Sequence, residues 1–140
     1  MVSIINFRMA TVITKPGVDI SPELKKVIQH STEEMGQVVI HFTVDNPSAH
    51  DTWIRIWPTT FLYDQGSAHN SDLVHIENIV YYPNWQICPG GRNSQFTLIF
   101  SGLPKSCSTF DFIEHCTNQG GAFEVRDIAR NESDVYYLKM

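Results

Sequence analysis

The hydrophobic pattern of residues 95–115 predicts two strands joined by a turn. Large apolar side chains occupy every second position over 96–100 and again over 110–112. Alternation with a period of two is typical of strands that bury one face. Gly102 and Pro104 lie between the two runs and favour a turn. We therefore expect a β-hairpin here and treat it as the centre of the fold.

A second clear strand covers residues 37–44, with Val38, Ile40, Phe42 and Val44 on one face. The other face carries Val39, His41 and Thr43. Shorter runs predict further strands over 53–57, 61–64, 73–76 and 123–128, and a less regular one over 79–82. About eight short strands separated by turn residues are typical of a sandwich or barrel. We predict an all-β, Ig-like antiparallel two-sheet sandwich of about 7–8 strands.

The N-terminal third of the chain allows two interpretations. Residues 1–20 form either an N-terminal arm or a first edge strand, the strand running over about residues 9–14. Residues 22–29 follow Ser21, a good helix N-cap, and so allow a helix. We prefer a strand over 25–30 that turns into the strand at residue 37.

The rest of the chain has no internal boundary. Residues 134–140 form either a terminal edge strand or a tail, and residues 118–121 are predicted to form a turn. No repeat, low-complexity tract or linker divides the sequence. We assign residues 21–140 to a single β-sandwich domain.

Composition excludes several classes of protein. The chain has 140 residues, of which 42% are hydrophobic and 18% charged, as in a globular domain. A net charge of −5 argues against non-specific binding of nucleic acid. No apolar run is long enough for a transmembrane segment, and the first residues do not form a signal peptide. The protein is then cytoplasmic, or exported if this chain is part of a longer one.

The three cysteines are expected to be thiols rather than disulfides. Cys107 and Cys116 lie at opposite ends of a predicted strand, roughly 30 Å apart at about 3.3 Å per residue. A disulfide needs Cα atoms within about 7 Å, so this pair is excluded. Cys88 with Cys116 is topologically possible, but an odd and small number of cysteines does not make a disulfide framework.

Candidate chemistry is sparse. His69, Asp72 and His75 would supply three metal ligands, but they lack the close Cys or His pairs of zinc motifs. An outward-facing histidine after a turn explains them more simply. We predict no metal site and no cofactor.

Catalytic groups are equally hard to find. The sequence contains no G-x-S-x-G motif. His115 and Cys116 are adjacent, and Asp111 and Glu114 are an odd number of residues apart, so each pair points to opposite faces of a strand. We predict no catalytic residue.

Aromatic residues outnumber what a sandwich core that already holds eight phenylalanines needs: Trp53, Trp57, Tyr63, Tyr81, Tyr82 and Trp85. Some of them are expected to form a surface for a sugar or a partner chain. The loop 82–92 is the best candidate, and we predict Tyr82, Trp85 and Arg92 as its binding residues. The alternative is that Trp53 or Trp57 is the central core tryptophan and Trp85 closes one end of the sandwich.

Four segments carry a resemblance to a known class of domain: Trp53–Ile56, Thr60–Gly66, Phe96–Lys105 and Phe110–Glu114. Their order resembles Ig-like β-sandwich domains of uncharacterised function in Bacteroides-type bacterial proteins, which are often exported or fused to other modules. The resemblance covers about residues 22–130 and concerns positions of the fold. It implies an accessory or interaction domain and transfers no active site.

These observations favour a non-enzymatic domain that binds a partner protein or a glycan. One alternative is a small metal- or thiol-dependent enzyme that uses His69, Asp72, His75 or a cysteine. Another is a purely structural module of a longer protein.

Overall fold

Strands account for all the regular secondary structure of the described residues, which contain no helix. The computed structural model describes residues 11–13, 36–117 and 122–140. The strands are β1 (Thr11–Ile13), β2 (Val38–Asn46), β3 (Thr52–Ile54), β4 (Thr60–Asp64), β5 (Asn70–Glu77), β6 (Gln86–Cys88), β7 (Arg92–Phe100), β8 (Thr109–Glu114), β9 (Glu124–Ala129) and β10 (Val135–Lys139). The predicted helix or strand over 22–30 and the predicted turn at 118–121 lie outside the described residues.

Eight of the strands form one curled mixed sheet in the order β1-β10-β2-β7-β5-β4-β8-β9. The β10–β2 pair is parallel, and the other pairs of this sheet are antiparallel. β3 and β6 form a separate two-stranded antiparallel sheet. The all-β class is confirmed. The strands divide into one large and one small sheet, because the hydrogen-bonded ladder of the large sheet runs without a break through eight strands.

The hairpin predicted at residues 95–115 is wrong. β7 pairs with β2 and β5, whereas β8 pairs with β4 and β9, so two strands separate them in the sheet. The connection between them contains Leu103 and Cys107, both buried, and so runs against the core. Alternation indicates which face of a strand is buried, but it does not identify the neighbouring strand.

Although β7 and β8 do not pair with each other, the apolar faces of both strands point into the core, as expected. Phe42 of β2 lies at its centre, with ring centroids 5.3 Å from Phe96, 5.1 Å from Phe112 and 5.7 Å from Phe123. All four rings are buried. Burying a phenylalanine side chain contributes about 1.5–3 kcal/mol, so this cluster is a principal source of stability.

The second face of β2 is buried as well. His41 is 1% exposed, its Nδ1 lies 2.7 Å from Oγ1 of Thr97, and its ring stacks on Tyr137 at 5.0 Å. Burial lowers the pKa of His41 to about 4. The histidine is therefore neutral at neutral pH and forms part of the packed structure.

The two ends of the described chain meet in the large sheet. β1 lies at its edge and pairs with β10, and β10 in turn pairs with β2. The last strand is therefore internal, which corrects the prediction of an edge strand or a tail for residues 134–140. Residues 79–82 do not form a strand; Tyr81 makes only an isolated parallel bridge with Ile56.

The structure holds the three cysteines as free thiols, with Cys88 and Cys107 buried and Cys116 partly exposed. Within the described ranges, there is no helix with the length and apolar character needed to cross a membrane.

Candidate functional site

The small sheet presents two chemically different faces. Ile54 of β3 and Cys88 of β6 are buried and face the core. Trp53 alternates with Ile54, and its register partner across the sheet is Ile87, which is 47% exposed. The outer face of β3 and β6 is thus apolar, although it borders solvent.

Arg55 follows β3, and its guanidinium lies over three aromatic rings. Its guanidinium carbon is 3.6 Å from the ring centroid of Trp85 and 4.7 Å from that of Tyr82. The side chain is only 9% exposed, and Nη1 donates a hydrogen bond of 3.3 Å to the carbonyl oxygen of Pro83. A cation over the face of an aromatic ring is attracted by the ring quadrupole, and more strongly where water is excluded.

Tyr82 also stacks on a third ring. The rings of Tyr82 and Trp57 have centroids 3.8 Å apart and an interplanar angle of 19°. The guanidinium carbon of Arg55 lies 5.6 Å from the Trp57 centroid, so Arg55 lies beside the Tyr82–Trp57 pair and contacts both rings. Tyr82 is 43% exposed, while Trp57 and Trp85 are half-buried. We call the following six residues the aromatic face: Trp53, Arg55, Trp57, Tyr82, Trp85 and Ile87.

Backbone hydrogen bonds fix the two segments that carry these rings. The amide of Ile56 donates to the carbonyl of Val80 at 2.9 Å, and the amide of Tyr82 donates to the carbonyl of Ile56 at 2.9 Å. These bonds make the isolated parallel bridge between Ile56 and Tyr81. The bridge therefore brings the chain next to Trp57 beside the chain at Tyr82.

The peptide groups of Trp57 are held by a cross-strand pair of the large sheet. The Trp57 amide donates to Oε2 of Glu114 at 2.8 Å, and the hydroxyl of Thr60 donates to the Trp57 carbonyl at 2.6 Å. Thr60 and Glu114 are register partners on β4 and β8. The aromatic face is therefore attached to the end of this strand pair.

Glu114 is a buried carboxyl group, 4% exposed. Its other oxygen, Oε1, accepts a hydrogen bond of 3.0 Å from the amide of Phe123. Burial raises the pKa of Glu114 to about 7, while the two amide donors and the positive charge of Arg55 act in the opposite direction. The group consequently titrates near neutral pH.

Two of the three predicted binding residues are brought together. The guanidinium of Arg55 lies over the rings of both Tyr82 and Trp85. Arg92 is the first residue of β7, where its register partner is Asn46. The cation that lies over both rings is Arg55, not the predicted Arg92. The largest fully buried side chains are phenylalanines, and both Trp53 and Trp57 are half-buried, so neither is the central core residue.

Arg55 and Glu114 were not recognised from the sequence, yet it contains a signal for each. Arg55 lies two residues from both Trp53 and Trp57, and side chains two residues apart in an extended strand share a face, which places it among the aromatic side chains. Glu114 is two and four residues from Phe112 and Phe110, so it lies on the same face of β8 and points into the core. An inward-facing carboxylate at the end of a core strand is unusual enough to indicate a special role.

The residues of the alternative metal site have other partners. His69 Nε2 lies 3.1 Å from both the hydroxyl of Ser71 and the carbonyl of Gly102. His75 lies 3.6 Å from a carboxylate oxygen of Glu77. In the part of the chain that the structure describes, there is no group of three or more His, Cys, Asp or Glu that could hold a metal ion.

The buried thiol of Cys107 offers little support for a thiol enzyme. Burial and the neighbouring Asp64 raise the pKa of Cys107. The thiolate is the reactive form of cysteine, so a raised pKa reduces nucleophilicity at neutral pH.

Fold and surface together define an all-β domain with a partly exposed cluster of aromatic rings around a buried arginine, next to a small two-stranded sheet. No model of a protein family matches the chain, and no similar curated protein or solved structure was found.

Proposed function

We propose that this protein is a non-enzymatic binding domain that recognises a partner protein through the aromatic face. The observation that supports this most directly is the cluster in which Arg55 lies over Trp85, Tyr82 and Trp57 and the last two rings stack on each other, with Tyr82 43% exposed. Tryptophan, tyrosine and arginine are the residues most enriched at the energetic centres of protein interfaces.

The rigidity of the stack favours binding. Ordering a flexible side chain at an interface costs about 0.5–1.5 kcal/mol. Arg55 is already ordered by Trp85, Tyr82 and the carbonyl of Pro83. A partner that packs on this surface therefore meets rings whose conformational entropy has been lost in folding.

Exposed apolar surface around the stack supports the same proposal. Ile87 and Tyr82, 47% and 43% exposed, are two of the three most exposed large hydrophobic residues among those described. Both belong to the aromatic face. The third, Val74, lies on β5 of the large sheet. Ile87 is the cross-strand partner of Trp53, and Tyr82 stacks on Trp57, so each of these exposed groups adjoins another large apolar ring.

The kinship with Ig-like accessory domains of Bacteroides-type proteins, including a two-sheet Ig-like sandwich, stays a proposal. The all-β fold is compatible with it. An accessory role agrees with a domain whose most distinctive feature is a binding surface.

A glycan is the second candidate ligand. The ring of Tyr82 stacks nearly parallel on Trp57 and is partly exposed, which gives a flat aromatic platform. The apolar face of a sugar ring packs well on such a surface. We favour a protein because the cation of the stack is itself covered by rings and is 9% exposed, which leaves few donors for hydroxyl groups.

The test compares immobilised wild-type protein with Tyr82→Ala and Trp85→Ala in pull-downs followed by titration of the purified partner. Loss of a central aromatic residue is expected to weaken binding by at least about 2 kcal/mol, which is roughly 30-fold in Kd. Tyr63→Ala is the matched control, because Tyr63 is a half-buried tyrosine on β4 whose hydroxyl contacts His115.

A glycan array with the same variants examines the second candidate. Sugar binding that Tyr82→Ala abolishes would replace the protein partner by a glycan. Partner binding that survives both substitutions on the aromatic face would refute the proposed surface.

A further inference from the structure

We propose that Glu114 is a positioning residue for the aromatic face: its carboxylate holds Trp57 in the ring stack, and protonation of the carboxylate loosens that hold. The effect on Trp57 is a property of the fold alone. Its consequence, a binding surface that is better ordered at higher pH, rests on the proposed function.

The geometry gives Glu114 control over a segment far from it in sequence. Its two oxygens accept the amides of Trp57, at 2.8 Å, and Phe123, at 3.0 Å. Hydrogen bonds to an ionised acceptor are roughly twice as strong as those between neutral groups. The carboxylate therefore joins β8, the segment after β3 and the segment before β9 at one buried point.

The surroundings of Glu114 favour its two forms in opposite ways. Arg55, from the segment after β3, is the charged group that acts on it and favours the carboxylate. β4 presents the uncharged Thr60, and the segment before β9 presents the Phe123 amide. His115, the next residue, is exposed and contacts the hydroxyl of Tyr63. Because burial raises the pKa to about 7, both forms are populated at neutral pH.

Protonation changes the bond to Trp57 in a defined way. The neutral acid gains an O–H donor on one oxygen and loses the negative charge that strengthens both amide contacts. The hydroxyl of Thr60 still donates to the Trp57 carbonyl, since a threonine does not titrate in this range. Trp57 thus keeps the Thr60 anchor but only a weaker hydrogen bond to Glu114, and its stacking on Tyr82 is expected to loosen.

The decisive experiment is an NMR titration of the wild-type protein without any ligand, from about pH 5.5 to about pH 8.5. The Glu114 carboxyl carbon and the backbone amides of Trp57 and Phe123 are expected to shift with a common midpoint near pH 7. The ring protons of Trp57 and Tyr82 should shift with the same midpoint. A carboxyl midpoint below about pH 5, or ring signals that do not follow the carboxyl, overturns the proposal.

Two variants separate positioning from general structure. Glu114→Gln should abolish the titration of the ring signals, because an amide does not ionise in this range. Thr60→Val removes the other anchor of Trp57 but keeps the carboxyl group, so the rings should still titrate. Ring signals that stop titrating in Thr60→Val would contradict the assignment to Glu114. The wild-type titration decides the question even where Glu114→Gln folds poorly.

The outcome is independent of whether a partner exists. Failure of the pull-downs would refute the proposed function and leave the titration of Trp57 and Tyr82 intact. Rings that do not titrate would refute the role of Glu114, while Tyr82→Ala could still abolish partner binding.

Discussion

Two buried groups should make the stability of this protein depend on pH in opposite directions over nearly the same range. The pKa of Glu114 rises from 4.5 to about 7 on folding, and that of His41 falls from 6.5 to about 4. Stability follows the difference in bound protons between the unfolded and native states. Native Glu114 binds its proton more tightly than in the unfolded chain, so its contribution falls as pH rises from about 4.5 to about 7. Native His41 binds its proton less tightly, so its contribution falls as pH drops from about 6.5 to about 4.

The two contributions are of similar size. One unit of pKa corresponds to about 1.4 kcal/mol, and each shift spans about 2.5 units, which gives about 3 kcal/mol for each group. Both side chains are almost fully buried, 4% exposed for Glu114 and 1% for His41, so solvent screening reduces these values little. In the wild-type protein the two effects largely offset each other, and single substitutions reveal them.

Glu114→Gln and His41→Gln are the two perturbations. The quantity to follow is the free energy of unfolding of wild type minus that of the variant, from urea denaturation at several pH values. For Glu114→Gln this difference should increase by about 3 kcal/mol as pH falls from about 7 to about 4.5. For His41→Gln it should decrease by about 3 kcal/mol as pH falls from about 6.5 to about 4. Taking the difference at each pH cancels the titration of all other carboxyl groups.

The sign for Glu114 is the sharpest check. A difference that stays flat, or that decreases toward low pH, would mean that the Trp57 and Phe123 amides and the charge of Arg55 outweigh burial. The Glu114 pKa would then not be raised, and the reasoning that desolvation dominates at this site would be wrong. For His41, a flat difference would show that the Thr97 contact and the Tyr137 ring tolerate the charged imidazole.

Three further predictions concern the stack, the core and the thiols. Arg55→Lys should weaken the packing of the rings, because an ammonium cannot stack on them, but it keeps the charge and so should leave the NMR midpoint of Glu114 near pH 7. Arg55→Met removes the charge as well and should raise that midpoint. Equal Glu114 midpoints in the two variants would exclude an electrostatic role for Arg55. Phe42→Ala should lower the free energy of unfolding in urea by about 3–5 kcal/mol, and a loss below about 1 kcal/mol would contradict its central place in the core. Cys88 and Cys107 should react with a thiol reagent only after denaturation, and fast reaction of the native protein would show that they are accessible.

Local alternation carries the parts of the fold that could be predicted. Ile40 and Phe42 point into the core and His41 points to the other face, because successive side chains of a strand alternate. The partner of each strand is set by contacts between residues far apart in sequence. The parallel pairing of β10 with β2 brings Tyr136 beside Ile40, and no short-range pattern encodes it. For the same reason, two well-predicted strands, β7 and β8, were assigned to a hairpin that does not exist.

In the candidate site, too, the sequence predicts what is close along the chain but not what long-range pairing brings together. Tyr82 and Trp85 were predicted because they lie close together in one loop rich in turn residues. Arg55 comes from another segment, and it reaches the loop only because the isolated bridge between Ile56 and Tyr81 joins the two. No short-range pattern encodes that bridge, so the sequence predicts Arg92, in the same predicted loop as Tyr82 and Trp85, as a binding residue instead of Arg55.

Arg55 connects the surface of this protein with its interior. Its planar guanidinium packs on the rings of Trp85 and Tyr82 near the protein surface, and its positive charge acts on the buried carboxyl group of Glu114. A planar, permanently charged group suits both tasks, whereas a lysine would serve only the second. Glu114 in turn holds the backbone of Trp57, whose ring stacks on Tyr82 and also lies 5.6 Å from the Arg55 guanidinium carbon. Binding to the rings and ionisation of the buried carboxyl therefore act on one connected set of side chains, so each should alter the free energy of the other.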